Sequence, residues 1–282
     1  MSATSPRIDS HHHLWLYSPQ EYGWIDENMK VIRRDFLPEH IHQEIQAAGI
    51  DGVVTVQAHQ SIAETEWLLK LAAGNDLMRG VVGWVPLIDG NVRNSLGPLA
   101  ANHKLKAIRH VIQSEPDPDY ILREDFNRGI RALPEFGLVY DILIFERHLP
   151  QTIHFVDRHP NQIFVLDHIG KPRIGDHVVS PWAENMRELA RRPNVYCKLS
   201  GMVTEADYQR WTETDLQPYF DSALEAFGPQ RLMFGSDWPV CLLAAGYDAV
   251  RATLEPVLDR LDATERAGVL GTTAARWYRL GQ

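Results

Sequence analysis

Short apolar runs alternate with amphipathic segments along almost the whole chain. Most runs are continuously apolar and rich in Val, Ile, Leu and Phe, which is typical of parallel strands covered on both faces. Eight runs predict strands, over residues 7–13, 52–57, 80–85, 105–110, 138–143, 163–168, 195–200 and 231–236. Segments with helical spacing separate them, and several end at a glycine, as helices commonly do.

This order of elements predicts an α/β fold. Eight strands joined by crossover helices within 282 residues fit a (β/α)8 TIM barrel that occupies residues 1–282 as one domain. A doubly wound open sheet is the alternative, but no glycine-rich nucleotide turn follows the first strand. The chain has no Ser/Pro-rich linker and no internal repeat that would separate a second domain.

Charge and composition exclude several classes of protein. A net charge of -9 argues against a nucleic acid as partner. The sequence lacks an apolar run of the roughly 18 residues that a membrane helix needs, and its first residues lack the apolar core of a secretory signal. We therefore expect a cytoplasmic protein, whose association into a homo-oligomer stays open. Two cysteines are too few for a disulfide framework.

The stretch "RIDSHHHLWL" suggests the first candidate chemistry. On a strand, alternate side chains share a face, so His11 and His13 would point into one space and His12 away from it. Two imidazoles on one face can bind one metal ion. A remnant of a purification tag or a polar strand end is the alternative for this segment alone.

Polar residues recur at the other strand ends. These positions hold His11, His13, Gln57, His59, Trp84, Arg109, His110, Asp141, His168, Lys198, Ser200 and Asp237. Barrel enzymes build their sites where the strands end. So many ligand and acid–base groups at equivalent positions favour a catalytic or metal site over a purely structural face.

Several motifs are similar to those of a known family. "IDSHHHLW", "VQA", "GVVGWVPL", "IRHVIQSEPDP", "DILIFERHLP", "LDHIGKP", "CKLSGMVTEAD" and "RLMFGSDWPVC" resemble the amidohydrolase-2 branch of the amidohydrolase superfamily. More narrowly, they resemble its sugar lactonases, which include enzymes acting on L-fucono- and L-rhamnono-lactone. The resemblance covers all eight predicted strands and also implies a TIM barrel.

The resemblance implies a metal site. The family's His-x-His pair falls on His11 and His13, its strand-six histidine on His168 and its strand-eight aspartate on Asp237. Binuclear members need a lysine at the end of strand four, where this chain has Arg109. One divalent ion, with zinc as the first choice for two histidines and a carboxylate, is therefore expected at His11, His13 and Asp237. Some lactonases of this branch look metal-independent, so a metal-free centre is the alternative.

Three residues are the catalytic candidates. Asp237, in "GSDWP", would be the general base for water, although an aspartate there could also cap the next helix. His168 would move a proton, and its neighbour Asp167 is expected to point outward to the helices. Arg109 would polarise the lactone carbonyl, or form a salt bridge inside the barrel.

Six further residues are candidates for substrate contact, and each could instead have a purely structural role. They are Gln57, Trp84, His110, Asp141, Lys171 and Lys198. A lysine near the carbonyl would stabilise the oxyanion, but Lys171 or Lys198 could instead pair with Asp141 or Glu146. A tryptophan near a strand end stacks on a sugar ring or packs in the core.

The resemblance implies hydrolysis of a sugar lactone to the aldonic acid by base-activated water, an esterase-type (EC 3.1.1) reaction of carbohydrate metabolism. The alternatives are a metal-dependent decarboxylase of the same superfamily, a non-sugar lactonase of the muconolactone or pyrone-dicarboxylate type, and a catalytically silent ligand-binding barrel. Decarboxylases typically follow the strand-six histidine with a glycine pair, where this chain has "HIGKP".

Overall fold

The predicted TIM barrel is present in the computed structural model, which describes residues 5–281. Eight parallel strands hydrogen-bond to one another in sequence order. The strands are β1 (Ile8–His12), β2 (Gly52–Val56), β3 (Met78–Gly83), β4 (Leu105–Val111), β5 (Val139–Leu143), β6 (Phe164–Leu166), β7 (Val195–Leu199) and β8 (Leu232–Phe234). Each lies within about two residues of its predicted position.

The first and last strands meet and close the barrel. The Asp237 amide donates to the His11 carbonyl at 2.8 Å, and the His13 amide donates to the Trp238 carbonyl at 2.6 Å. These bonds lie just beyond the carboxyl end of β8. They therefore fix Asp237 beside the two histidines of β1.

Helices cover the outside of the barrel. They are α1 (Pro38–Ala47), α2 (Ile62–Ala73), α3 (Val92–Ala100), α4 (Glu124–Ile130), α5 (Leu149–Asp157), α6 (Trp182–Ala190), α7 (Glu213–Phe227), α8 (Tyr247–Ala252), α9 (Glu255–Leu258), α10 (Ala263–Ala267) and α11 (Thr273–Trp277). After β8 the chain forms four short helices, α8 to α11. Pro256 lies in the first turn of α9, and a π-helical turn at Gly268–Thr272 separates α10 from α11.

Side chains fill the barrel in layers, as in other barrels of this type. The lowest layer is apolar and includes Ile8, Val139, Val165 and Met233. Tyr278, which follows α11, is buried in the same cluster. The carboxyl-terminal segment thus packs against the lower end of the barrel, and the opposite end, where the strands finish, is left for a site. Among the described residues, no helix is both long and apolar enough to span a membrane.

Candidate active site

A cavity of about 560 Å³ opens at the carboxyl ends of the strands. This volume lies within the usual range for small-molecule sites. Six of the residues singled out from the sequence line it: His13, His59, Arg109, His168, Lys171 and Asp237. They come from five different strand ends, which the barrel brings together.

His11 and His13 lie side by side at the carboxyl end of β1. The pairing of β1 with β2 shifts register between Asp9 and His12. The Nε2 atoms of His11 and His13 lie 3.1 Å apart. The His12 side chain is buried elsewhere, with its Nε2 in a 2.7 Å hydrogen bond to Thr55 Oγ1. The segment is thus an integral strand of the barrel, and His12 is separated from the other two histidines as the alternation predicts.

Asp237 lies opposite this pair. Its Oδ1 is 3.4 Å from His13 Nε2 and 3.7 Å from His11 Nε2, and His168 Nε2 lies 3.9 Å away. Burial opposes ionisation of this carboxyl. The imidazoles of His168, His13 and His11 outweigh burial and hold the pKa of Asp237 well below its usual range. The group is therefore a carboxylate throughout the neutral range.

The atoms of this cluster fit a metal ion. His13 Nδ1 donates to the Val56 carbonyl at 2.8 Å, so its Nε2 carries the lone pair when the ring is neutral. His11 Nδ1 lies 3.3 Å from Asp167 Oδ1, and the tautomer of His11 that donates to Asp167 leaves the lone pair on Nε2. Burial lowers the pKa of both histidines. Two lone pairs and the Asp237 carboxylate thus converge on one point, within 4.8 Å of one another, and a divalent cation would relieve their repulsion.

Below this cluster lies a fully buried ionic layer. Lys198 Nζ lies 2.6 Å from Asp141 Oδ2 and 2.9 Å from Asp167 Oδ1, and 3.2 Å from His11 Nδ1. None of these four side chains is exposed. Asp141 and Lys198 were predicted to contact substrate, but they lie one layer beneath the cavity and pair with each other.

Asp167 differs from the sequence-based expectation, because it points into the barrel and not outward. Val165, two residues earlier, packs in the interior apolar cluster, and the alternation of β6 carries Asp167 to the same side. There it accepts from Arg109 Nη1 at 3.1 Å. Burial opposes its ionisation, but Lys198 and His11 hold the pKa of Asp167 well below its usual range.

A left-handed turn of the backbone directs the His168 side chain towards the cavity. Four consecutive residues after β6, from His168 to Lys171, have φ between 47° and 71°. This left-handed turn lets both Asp167 and His168 face the site. His168 Nδ1 lies 2.9 Å from Ser200 Oγ, and burial lowers the pKa of His168 to about 4. The imidazole is therefore neutral at neutral pH.

Arg109 occupies the end of β4 and joins two layers. Its guanidinium lines the cavity, donates to Asp167 and to the Gln57 carbonyl, and lies 3.4 Å from His11 Nε2. The salt-bridge alternative is therefore present, and the action of Arg109 on a carbonyl stays a prediction. Arg109 is fixed in a buried salt bridge, and it presents positive charge to the cavity.

Three other candidates lie away from the cavity wall. Gln57 is fully buried, with its Nε2 3.5 Å from the Arg109 carbonyl. Trp84 donates from its indole to His110 Nδ1 at 3.2 Å, and His110 Nε2 lies 2.6 Å from Glu115. The polar atoms of these three side chains face protein groups, and none of the three residues lines the cavity.

The sequence analysis missed residues that line the cavity from loops. They include Met29, Gln60, Phe145, Glu205 and Tyr208. Glu205 lies within the motif "CKLSGMVTEAD", but nothing in the strand pattern singles it out, because it follows β7 by six residues. Trp24 also lines the cavity and is 41% exposed.

This chain is similar to known proteins over nearly its full length. The chain is 43% identical to an L-fucono-1,5-lactonase of Burkholderia multivorans, over 97% of this chain and 96% of the relative. It is 35% identical to an L-fucono-1,5-lactonase of Burkholderia ambifaria, over the same shares of the two chains.

Solved structures agree in fold. An amidohydrolase of Burkholderia multivorans, determined once with HEPES and once with Zn bound, superposes with a TM-score of 0.93 at 43% identity. The superposition covers 98% of this chain and 99% of that one. The amidohydrolase family model itself matches residues 8–280. The chain therefore belongs to the amidohydrolase family.

Proposed function

We propose that this protein hydrolyses a sugar lactone to the corresponding aldonic acid, with L-fucono-1,5-lactone as the first substrate to test. The observation that carries the proposal is Asp237, a buried carboxylate with three imidazole nitrogens between 3.4 and 3.9 Å from its Oδ1, at the edge of a cavity large enough for a sugar ring. The two lactonases that are 43% and 35% identical support the substrate class.

Asp237 acts as the general base. It takes a proton from a water molecule, and the remaining hydroxide adds to the lactone carbonyl carbon. Arg109, held by Asp167, offers positive charge to the carbonyl oxygen as it becomes an oxyanion. A bound divalent ion, held by His11, His13 and Asp237, would further polarise the carbonyl and acidify the water.

The same carboxyl group returns the proton. When the bond between the carbonyl carbon and the ring oxygen breaks, protonated Asp237 donates to the departing alkoxide and is regenerated. His168 is a poor resting acid, because burial lowers its pKa to about 4. We assign His168 a neutral, orienting role next to Asp237, supported by its hydrogen bond with Ser200 Oγ at 2.9 Å.

One zinc ion per chain is the proposed metal content. Arg109, with its guanidinium bound to Asp167, stands where a second, bridging metal ligand would be needed. Elemental analysis of the purified protein should therefore give about one equivalent, reduced by His11→Ala. Two tightly bound equivalents would contradict this assignment, whereas full activity after chelation would assign carbonyl polarisation to Arg109 alone.

A pH-indicator screen over aldono-1,4- and 1,5-lactones tests the function. We expect the protein to hydrolyse L-configured 1,5-lactones. The rate is compared with a protein-free control, because these rings also hydrolyse slowly in water, and it should be well above that control. A panel of aromatic carboxylates, assayed for loss of CO2, tests the decarboxylase alternative. Decarboxylation without lactone hydrolysis would overturn the proposal.

A further inference from the structure

Glu205 has no role in the reaction derived above, although its side chain lines the cavity. It lies in the loop that follows β7. Its amide donates to the Met202 carbonyl at 3.3 Å, and its own carbonyl accepts from the Gly175 amide at 2.9 Å. Hydrogen bonds on both sides of the peptide thus hold the residue in place.

This loop packs directly on the left-handed turn that carries His168 and Lys171. Gly201 begins the loop with φ of +65°, and a Cβ atom there would lie 2.5 Å from His168 Nδ1. The close approach brings Glu205 Oε1 within 3.2 Å of Lys171 Nζ. Loops from two neighbouring strands therefore meet as an ion pair on the cavity wall.

The pair is only partly satisfied by protein groups. Both side chains are 18% exposed, and both line the cavity. Within residues 5–281, Lys171 is the one side chain that bonds the Glu205 carboxylate. A carboxylate has about four acceptor sites and an ammonium has three donors, so each partner keeps hydrogen-bonding capacity towards the cavity.

An acceptor and a donor side by side match a hydroxyl group, which both donates and accepts. The remaining wall around them is largely apolar or aromatic, with Phe145 and Tyr208 nearby. Lys171 Nζ itself lies 5.6 Å from the Phe145 ring. A hydroxylated ring seated there would find its strongest polar partners in this pair.

We propose that Glu205, paired with Lys171, recognises ring hydroxyl groups of the lactone and so determines specificity for polyhydroxylated substrates. The proposal rests on the proposed function and extends it to a residue outside the chemical step. Glu205 acts on the substrate's hydroxyl groups, whereas Asp237 acts on its carbonyl.

The test compares ligands with and without hydroxyl groups in wild type and Glu205→Gln. One arm measures kcat/KM for L-fucono-1,5-lactone and for δ-valerolactone, whose ring has no hydroxyl substituent. Loss of a charged hydrogen-bond partner should lower kcat/KM for the hydroxylated lactone by about 10- to 100-fold, largely through KM. The discrimination between the two lactones should shrink by the same factor.

A second arm is independent of turnover. Calorimetric titration with L-fuconate and with 5-hydroxypentanoate should show weaker binding of L-fuconate to Glu205→Gln and equal binding of 5-hydroxypentanoate to both proteins. If wild type hydrolyses neither lactone, the proposed function fails, and this arm still decides the role of Glu205. Equal weakening for both ligands, no weakening for either, or no binding of L-fuconate to wild type would overturn the proposal.

Glu146→Gln is the matched control. Burial is the main cause that raises the pKa of Glu205, and the charge of Glu146 adds to it, but Glu146 is not among the residues that line the cavity. This control removes a neighbouring negative charge and should leave the hydroxyl discrimination unchanged. Lys171→Met provides a second variant of the pair and should reproduce the effect of Glu205→Gln, with melting temperatures confirming that each variant is folded.

Discussion

Asp237 and His168 both have a left-handed backbone, with φ of 57° and 54°. Non-glycine residues seldom adopt this conformation, although aspartate and histidine tolerate it better than most. Such residues cluster at functional sites, where the surrounding structure holds them in place. Here the Asp237 amide is held by the His11 carbonyl, so closure of the barrel and orientation of the proposed base depend on the same bond.

Asp237→Asn should remove the chemical step and keep the fold. Asparagine preserves the shape and tolerates the left-handed backbone, but it cannot accept a proton. We expect kcat to fall by at least about 10³-fold, because a general base contributes about 10²–10⁴-fold and this carboxylate is also a proposed metal ligand. Melting temperature should change little. A variant that keeps more than about a tenth of wild-type kcat would exclude Asp237 as the base.

The three adjacent histidines should respond differently to replacement by alanine. His11→Ala and His13→Ala should each lower kcat/KM by more than about 10²-fold, because both imidazoles face Asp237. His12→Ala should keep most activity but lower stability by about 1–3 kcal/mol, since it leaves Thr55 without its buried partner. Steady-state kinetics and urea unfolding of the three variants separate these effects. Equal loss of activity in all three would contradict the assignment.

Period-two alternation predicted the inward side of most strand residues, although not of Asp167, and it did not predict how deep a side chain lies. The barrel, the facing histidines and Asp237 at the end of β8 could all be placed from the sequence. Asp141 and Lys198 face the interior as expected, yet they lie one layer too deep to reach the cavity. Depth depends on strand register and tilt, and turns such as that of His168 depend on backbone angles that a residue pattern does not specify.

At the scale of an element, α2 holds two loops that border the cavity. Glu64, in its first turn, accepts from the Ala58 and His59 amides at 3.0 and 2.9 Å. It also accepts from the Tyr22 hydroxyl at 3.0 Å. The side chain is buried, and burial raises its pKa from the ordinary 4.5 to about 7. Ala58 and His59 line the cavity, so this carboxyl fixes part of its wall.

The raised pKa of Glu64 predicts a loss of stability as pH rises. Protonation is favoured in the folded state, so the contribution to stability is full below about pH 4.5 and decreases as pH rises through 7. Between pH 5 and 8, wild type should lose about 1–3 kcal/mol relative to Glu64→Gln. Urea unfolding of both proteins at the two pH values measures this difference. A difference independent of pH, or larger at pH 8, would contradict the prediction.

Helices were predicted correctly where a strong local pattern of apolar spacing and capping residues is present. The positions of α1 and α2 follow from apolar spacing, with Pro38 in the first turn of α1 and Ser61 capping α2. After β8 the helical pattern continues, but the chain divides into four short helices. Between α10 and α11 the cause is a close approach of distant parts of the chain, because a Cβ on Gly271 would lie 2.0 Å from the Pro6 carbonyl oxygen. A short stretch of sequence contains no information about a contact with such a distant residue.

At the scale of the whole molecule, the ionic layer connects distant parts of the chain. Lys198 of β7 lies between Asp141 of β5 and Asp167, which follows β6. Tyr278, beyond the last helix, donates its hydroxyl to Asp141 at 2.8 Å. The layer thus joins the carboxyl-terminal segment to the floor of the site, where Asp167 pairs with Arg109 and lies 3.3 Å from His11.

Replacing Lys198 should therefore destabilise the entire barrel. In Lys198→Met, Asp141 and Asp167 stay buried without the ammonium that compensates them, and breaking such a pair costs about 3–5 kcal/mol. Asp141→Asn alone should cost less, because Lys198 keeps Asp167 as a partner at 2.9 Å. The double variant, Lys198→Met with Asp141→Asn, removes one of the two buried carboxylates that would lack the ammonium. We therefore expect its loss of stability to be at least about 1 kcal/mol smaller than the sum of the two single losses. Urea unfolding of all four proteins gives this coupling energy directly. Additive losses would mean that Lys198 and Asp141 contribute to stability independently. The layer would then be a set of separate contacts that do not act together to support the floor of the site.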